Sequence, residues 1–99
     1  MNLNDVYAIE GEAETAEEYA LAMQRAINSG MAWRVQGFYG RSAMDALESG
    51  LCMLPKEAHT DYYGSTVPSR TWLEPGSKGT RENVVNNYGE EWAEMLEGA

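Results

Sequence analysis

The sequence predicts a single, mainly α-helical domain in which three helices pack together and a long ordered loop joins the second to the third. The length of 99 residues is that of one small domain, which can bury about 60–65% of the unfolded chain's surface. Three stretches repeat apolar residues at helical spacing and are bounded by residues that start or stop helices. Residues 55–79 contain all three prolines of the chain, so no helix is expected there.

Residues 1–14 form an N-terminal arm without helical periodicity, for which a short strand, an ordered arm and a frayed tail stay open as alternatives. The first predicted helix covers residues 15–29. Thr15 and Glu18 have the spacing of a capping box, and Gly30 suits the left-handed residue that ends a helix. Helical spacing places these residues on its polar face: Glu17, Gln24, Arg25 and Asn28.

The second predicted helix covers residues 31–50 and is closed by Gly50 and Pro55. We expect it at the centre of the domain. Its polar residues crowd into one narrow arc made of Arg34, Arg41, Asp45 and Glu48. A helix that is apolar around most of its circumference is buried on more than one side. Gly37 and Gly40 lie on one flank, where the missing side chains would let a second segment or an aromatic ring approach closely.

Residues 55–79 are too apolar for a disordered linker. We expect an ordered loop with a short β-hairpin that pairs residues near 61–63 with residues near 71–73. The third predicted helix covers residues 80–97, with Thr80 as its N-cap and Gly89 as a candidate kink. The predicted core combines the apolar faces of the three helices: Tyr19, Met23, Ile27, Val35, Phe38, Leu47, Val85, Tyr88 and Trp92.

The charge layout argues against one class of partner. The net charge is −9, with six acidic residues and no basic one in residues 1–18, and five acidic residues and no basic one in residues 82–99. The middle of the chain carries all seven basic residues against five acidic ones. Such acidic ends disfavour direct binding to a nucleic acid backbone and favour a basic protein partner.

The expected compartment is the cytoplasm, with no membrane contact. The N-terminal sequence lacks the basic and apolar regions of a signal peptide, and no apolar run approaches the roughly 20 residues of a membrane span. The one cysteine, Cys52, cannot form a disulfide within the chain or supply a multi-cysteine zinc site. Because its neighbours are apolar, we interpret it as a buried side chain in a reducing compartment.

The pair His59 and Asp61 is the sequence feature closest to a catalytic or metal site. One histidine and one nearby carboxylate supply two metal ligands at most, fewer than zinc needs. No serine or cysteine is visibly paired with this histidine, and a nucleophile, base and oxyanion donor cannot be assembled from the sequence. We therefore expect no metal, no cofactor and no catalytic residue, and we interpret His59 as a surface or turn residue.

The first candidate binding site is a set of aromatic and basic residues in the long loop: Tyr62, Tyr63, Arg70 and Trp72. Arginine together with aromatic side chains is typical of partner-binding surfaces. An equally weighted alternative is that Arg70 locks the loop by bonding backbone carbonyls.

The second candidate site is a turn directly before the third helix, made of Ser77, Lys78, Gly79 and Thr80. Glycine, lysine and hydroxyl groups at a helix start can form an anion-binding turn. The order of residues is not that of a phosphate-binding P-loop. The alternative is an ordinary turn followed by an N-cap.

Three runs carry a resemblance to known proteins: WRVQGFYGRSAMDALESGLCML (33–54), DYYGSTVPSR (61–70) and PGSKGTRENV (75–84). They resemble small proteins encoded by bacteriophages of actinobacteria. This resemblance implies a phage accessory protein that works in the bacterial host cytoplasm, and small phage proteins of this kind mostly act by binding a host protein. It implies no catalytic or binding residue.

These observations predict a non-enzymatic accessory protein that binds and modulates a host macromolecule, foremost a protein. Two alternatives stay open: a small-ligand or nucleotide-binding protein that uses the 76–80 turn, and an acidic, DNA-mimicking inhibitor. The apolar residue Leu21 on the polar side of the first helix, with the six methionines and three tryptophans, suits a homodimer as well as a monomer.

Overall fold

The computed structural model describes residues 2–34 and 38–99. Within these residues lie five α-helices: α1 (Leu3–Tyr7), α2 (Ala16–Ser29), α3 (Phe38–Ser49), α4 (Arg81–Tyr88) and α5 (Glu90–Glu97). The other elements are a π-helical turn (Ala8–Glu12), a 3-10 helix (Met31–Trp33) and two short strands, β1 (His59–Thr60) and β2 (Thr66–Val67). The mainly α class is confirmed, whereas the prediction of three helices is wrong.

The N-terminal arm is ordered and helical, neither a strand nor a frayed tail. Asn2 caps α1, because its side chain accepts a hydrogen bond from the Asp5 amide while the Asp5 carboxylate accepts one from the Asn2 amide. The buried Asp5 carboxylate also forms an ion pair with Arg25 of α2, at 2.7 Å. Ile9 of the π-helical turn is buried in the core. The arm is therefore held on α2 by an ion pair and an apolar side chain.

Helix α2 is the central element, since it contacts the N-terminal arm, the 3-10 helix, α3 and α5. Its predicted limits are confirmed. The Thr15 hydroxyl accepts a hydrogen bond from the Glu18 amide at 3.1 Å, and Gly30 ends the helix with a φ of 81°. The second half of the predicted capping box is shifted by one residue, because the Glu18 carboxylate accepts from the amide of Glu14.

The polar face predicted for α2 is wrong at Gln24, which is fully buried. Its side-chain amide donates a hydrogen bond to the Met53 carbonyl at 2.8 Å and accepts one from the Met53 amide at 2.9 Å. Gln24 thus pairs with the backbone of residue 53 and satisfies both of its polar groups inside the core.

The continuous helix predicted for residues 31–50 is wrong, and so is its central position. The chain winds as a 3-10 helix after Gly30, and the Trp33 carbonyl accepts a hydrogen bond from the Tyr62 amide of the long loop at 2.8 Å. Helix α3 (Phe38–Ser49) has one buried and one exposed side among the described side chains of residues 39–49. It buries Ala43, Ala46 and Leu47, whereas Arg41, Met44, Asp45 and Glu48 are exposed. The helix is poor in polar residues because it contains small residues and the exposed Met44, and not because it is buried on several sides.

The ordered loop is confirmed, but the predicted strand pairing is wrong. The hairpin pairs His59 with Val67 and Thr60 with Thr66, antiparallel. Its turn is set by Asp61, whose Oδ1 accepts hydrogen bonds from the amides of Tyr63 at 2.9 Å and Ser65 at 2.8 Å. A short polar side chain that caps the turn in this way favours reversal at 61–65. Residues 71–73 then lie outside the hairpin.

The third predicted helix is divided into α4 and α5 at Gly89, the residue where we expected a kink. Gly89 has a φ of 97° and a ψ of 166°, which breaks the helix and which residues with a side chain rarely adopt. Thr80 caps α4 as predicted, because its hydroxyl accepts from the Asn83 amide at 3.2 Å. Arg81 joins the two helices through ion pairs with Glu90 at 2.6 Å and Glu97 at 3.0 Å.

The core prediction is confirmed for three residues of α2 and α3 and is wrong for Tyr88 of α4. Met23, Ile27 and Leu47 are buried, and three further predicted residues, Tyr19, Val85 and Trp92, pack against the core while partly exposed. Tyr88 is instead 46% exposed, and its ring stacks on that of Trp92 with centroids 5.1 Å apart. Val35 and the side chain of Phe38 lie outside the described residues. The core prediction left out several buried residues between and beyond the helices, among them Ile9, Met53 and Leu54, whereas the burial expected for Cys52 is confirmed.

Candidate functional site

A groove of about 740 Å³ opens between α3 and the β-hairpin. Its volume is within the range of small-molecule and side-chain binding sites. Its lining comes from the 3-10 helix, α3, the segment after α3, the hairpin and the turn before α4: Trp33, Gly40, Arg41, Met44, Asp45, Leu47, Glu48, Leu54, Asp61, Thr66, Val67, Pro68 and Lys78. Five separate parts of the chain therefore meet at one surface.

The floor of the groove is apolar and connected to the core. Leu47, Leu54 and Val67 are each less than a tenth exposed and belong to the main hydrophobic cluster. Met44 stands above them on α3 with 48% of its surface exposed. A flexible methionine over a rigid apolar floor can adapt to side chains of different shape.

The tip of the hairpin places two tyrosines next to the groove. Tyr62 and Tyr63 are 55% and 84% exposed, and their rings meet edge to face with centroids 5.2 Å apart. They follow Asp61, which lines the groove, and the Tyr62 amide is bonded to the carbonyl of Trp33, another lining residue. We call the set Trp33, Met44, Tyr62, Tyr63 and Val67 the hairpin–groove surface.

The groove carries charged side chains of both signs. Arg41, Asp45 and Glu48 follow one another along the exposed side of α3, and Lys78 lies on the turn before α4. Within the described residues none of these four side chains makes an ion pair. An apolar centre with unpaired charges around it is the usual anatomy of a protein-binding patch.

Arg70, a predicted partner-binding residue, holds the long loop in place. It is half-buried, and its Nε donates to the Leu54 carbonyl at 2.7 Å while Nη2 donates to Oδ1 of Asn28 at 3.3 Å. These contacts match the alternative in which Arg70 locks the loop. The fourth predicted residue, Trp72, is 63% exposed after a turn in which its amide donates to the Ser69 carbonyl. The partner-binding role of both residues stays a prediction.

The turn of residues 76–80 uses much of its hydrogen-bonding capacity internally. The amides of Ser77 and Thr80 donate to the carbonyls of Glu74 and Ser77, and the Gly76 amide donates to the Thr80 hydroxyl. Gly79 is buried, and a side chain there would lie 2.7 Å from Leu54. Anion binding by Ser77, Lys78, Gly79 and Thr80 stays a prediction, and these bonds favour the alternative of a turn with an N-cap.

The reactive side chains singled out in the sequence serve the fold. Nε2 of His59 lies 2.6 Å from the carbonyl oxygen of Asn28, so this ring bonds the hairpin to α2. Burial raises the pKa of the Cys52 thiol to about 12, and its Sγ lies 3.4 Å from the Ala20 carbonyl oxygen. A thiol in that state is a poor nucleophile at neutral pH. Among residues 2–34 and 38–99, no three metal-ligating side chains come together.

Comparison with known families gives one match. A family model described as a domain of unknown function, DUF7417, matches residues 5–68, which are 64 of the 99 residues. The chain belongs to the DUF7417 family. The DUF7417 segment contains every residue that lines the groove apart from Lys78, and both hairpin tyrosines, whereas Arg70, Trp72 and the 76–80 turn follow it.

The other comparisons add no relative with an assigned activity. No curated protein matches the chain, and no solved structure matches it either. In the part of the chain that the structure describes, no helix has both the length and the apolar character needed to cross a bilayer.

Sequence reasoning missed the groove because it extended one helix over residues 31–50. That helix was expected to be buried on more than one side, and Trp33 was expected to share it with Arg41. The available signal was the position of Met44 between Arg41 and Asp45, because an apolar residue flanked by exposed charges at helical spacing indicates an uncovered face. The hairpin tyrosines were singled out because aromatic side chains together with an arginine are typical of partner-binding surfaces.

Proposed function

We propose that this DUF7417 protein is a non-catalytic, phage-type accessory protein that binds and modulates a host protein through the hairpin–groove surface. The observation that carries the proposal is the exposure of Tyr62 and Tyr63, which follow Asp61, a residue that lines an open apolar groove. Tyrosine is among the residue types that most often supply the binding energy of protein interfaces. An exposed apolar surface of this kind on a small domain calls for a partner.

Two further properties support binding rather than catalysis. His59 and Cys52, the side chains best suited to chemistry, are engaged in hydrogen bonds that hold the fold together. The net charge of −9 favours attraction of basic proteins and repulsion of nucleic acids. The phage origin and the host-cell cytoplasm rest on the resemblance of residues 33–54, 61–70 and 75–84 to phage proteins of actinobacteria.

The proposal is tested by affinity capture from an actinobacterial lysate, followed by direct binding of the captured protein after purification. We expect the double substitution Tyr62→Ser and Tyr63→Ser to abolish retention of the partner. The matched control is Tyr7→Ser, because Tyr7 is an exposed tyrosine on α1 away from the groove. Retention of the same partner by both variants, or no partner with the unaltered chain, would contradict the proposal.

A further inference from the structure

The uncompensated charge on α3 indicates which kind of partner segment the groove suits. Asp45 and Glu48 lie in the C-terminal half of this helix, and its last turn contains no basic residue. The carbonyl groups at a helix C-terminus carry partial negative charge, which adds to that of the two carboxylates. Among the described residues no basic side chain forms an ion pair with either carboxylate, so this end of the groove wall favours a cation from a partner.

We infer that the groove binds a basic amphipathic segment of a protein partner, with apolar side chains between α3 and β2 and lysine or arginine side chains on Asp45 and Glu48. The inference rests on the proposed function and names the chemistry of the partner. It follows from an apolar floor made of Leu47, Leu54 and Val67 and from carboxylates without an ion pair at its edge.

The basic side chain of Arg41 orients the partner segment in the groove. Arg41 precedes Asp45 by one helical turn, so the α3 wall changes sign along its length, over roughly 10 Å from Arg41 to Glu48 at 1.5 Å per residue. A positive charge on the segment is attracted near Glu48 and repelled near Arg41. Complementary and like charges arranged in this way select one direction of binding.

The chain as a whole favours the same partner. With a net charge of −9 it attracts basic proteins over several ångströms of solvent, and this attraction weakens as salt is added. Met44 lies between Arg41 and Asp45 in the sequence and is half exposed. An apolar side chain of the partner can therefore cover Met44 and gain contact area without displacing either charged side chain.

The experiment titrates the full chain with synthetic peptides and follows backbone amide shifts by NMR. The probe is a leucine–lysine peptide with leucines at helical spacing, and its controls are a scrambled peptide of the same composition and a leucine–glutamate peptide of the same spacing. We expect shifts at residues 40–48 and 66–67 with the probe, binding weaker by about tenfold with the scrambled peptide, and none with the acidic one.

Matched variants separate the groove from general charge attraction. The pair Asp45→Asn and Glu48→Gln should weaken binding of the probe by about tenfold, whereas Glu91→Gln with Glu94→Gln on α5 removes the same charge elsewhere and should change it by less than about twofold. Equal losses in the two pairs, equal affinity for the scrambled peptide, or no binding of the probe would overturn the inference. Shifts at the groove that depend only on protein concentration would overturn it in favour of a second copy of the chain.

The inference and the proposed function can fail separately. If the partner captured from the lysate depends on Tyr62 and Tyr63 but is unaffected by neutralising Asp45 and Glu48, the proposed function stands and the inference is wrong. If the leucine–lysine probe binds at α3 while no partner is captured, the groove has the inferred chemistry and the proposed function is contradicted.

Discussion

Nε of Arg25 on α2 lies 2.9 and 3.0 Å from the two carboxylate oxygens of Asp5 on α1. The Asp5 side chain is 3% exposed, whereas that of Arg25 is 40% exposed. This ion pair joins elements twenty residues apart in the sequence and holds the N-terminal arm on the central helix. Removing one partner of such a pair leaves a charge without its compensation.

The first prediction concerns the loss of stability in acid. Burial acts to raise the pKa of the Asp5 carboxyl, but hydrogen bonds from Arg25 and the Asn2 amide, with the charge of Arg25, outweigh it and lower the pKa. The stabilisation is therefore fully present above the pKa of about 3.9 that this carboxyl has in the unfolded chain. It is lost as the pH falls through the lower pKa of the folded state. Asp5→Asn should lower the free energy of unfolding by about 1–3 kcal/mol at neutral pH.

Urea denaturation at a series of pH values checks this prediction. The difference between the unaltered chain and Asp5→Asn should shrink as the pH falls below about 4. Glu94→Gln, an exposed carboxylate on α5, is the control for the change in net charge. A difference that grows in acid would contradict the assigned direction of the pKa.

The second prediction concerns the hydrogen bonds between Gln24 and residue 53. Gln24→Met keeps a similar volume but removes both the donor and the acceptor that satisfy the buried Met53 backbone. We expect a loss of about 2–4 kcal/mol in the free energy of unfolding, because two buried polar groups lose their partners. Chemical denaturation measures it, and a loss below about 0.5 kcal/mol would show that water replaces the side chain.

The third prediction concerns Arg70 and the long loop. Arg70→Ala should destabilise the chain by about 1–2 kcal/mol and speed amide hydrogen exchange across residues 55–79, because the Leu54 carbonyl and Asn28 lose a common donor. Trp72→Ala, two residues away and exposed, should leave exchange in the loop unchanged. Equal exchange in both variants would mean that Arg70 does not lock the loop.

The fourth prediction concerns two glycines, Gly40 of α3 and Gly50 directly after it. Among the described residues, and apart from the backbone of its own helix, a side chain at Gly40 would meet the Ala32 carbonyl, at an ordinary contact distance of 3.7 Å. Gly40→Ala should therefore raise the free energy of unfolding, by up to about 1 kcal/mol, because alanine favours the helix. Gly50→Ala is the opposite case: its φ is 82° and the new side chain would lie 2.8 Å from that of Asn87. We expect it to cost more than about 1 kcal/mol in a thermal melt. Stabilisation by Gly50→Ala would refute this account.

Local signals were sufficient wherever a helix end depends on its own neighbours. Thr15, Gly30, Thr80 and Gly89 all act as their residue types predict, because a cap or a left-handed turn involves only the next few residues. A hairpin in the long loop was predicted, but neither its turn nor its register was. Asp61 places the reversal at 61–65 through hydrogen bonds from two backbone amides, which apolar patterning does not show.

The candidate site was predicted in part. Tyr62 and Tyr63 were identified in the sequence and are exposed, and Arg70 was identified but serves the loop. The groove beside them was missed, since it depends on how far α3 is covered. Periodicity shows which residues share a face but not which neighbour packs on it.

The amino-acid sequence by itself determined the helical class, the ends of α2, the start of α4 and the break at Gly89. Only the tertiary structure decided that α2 rather than residues 31–50 is central, that Gln24 and Asp5 are buried, and that α3 leaves Met44 open beside the hairpin. The physical reason is the distance along the sequence over which each kind of interaction acts. Caps and turns are satisfied within a few residues, whereas the burial of a polar group or an apolar face depends on partners that the chain brings from 20 or more residues away.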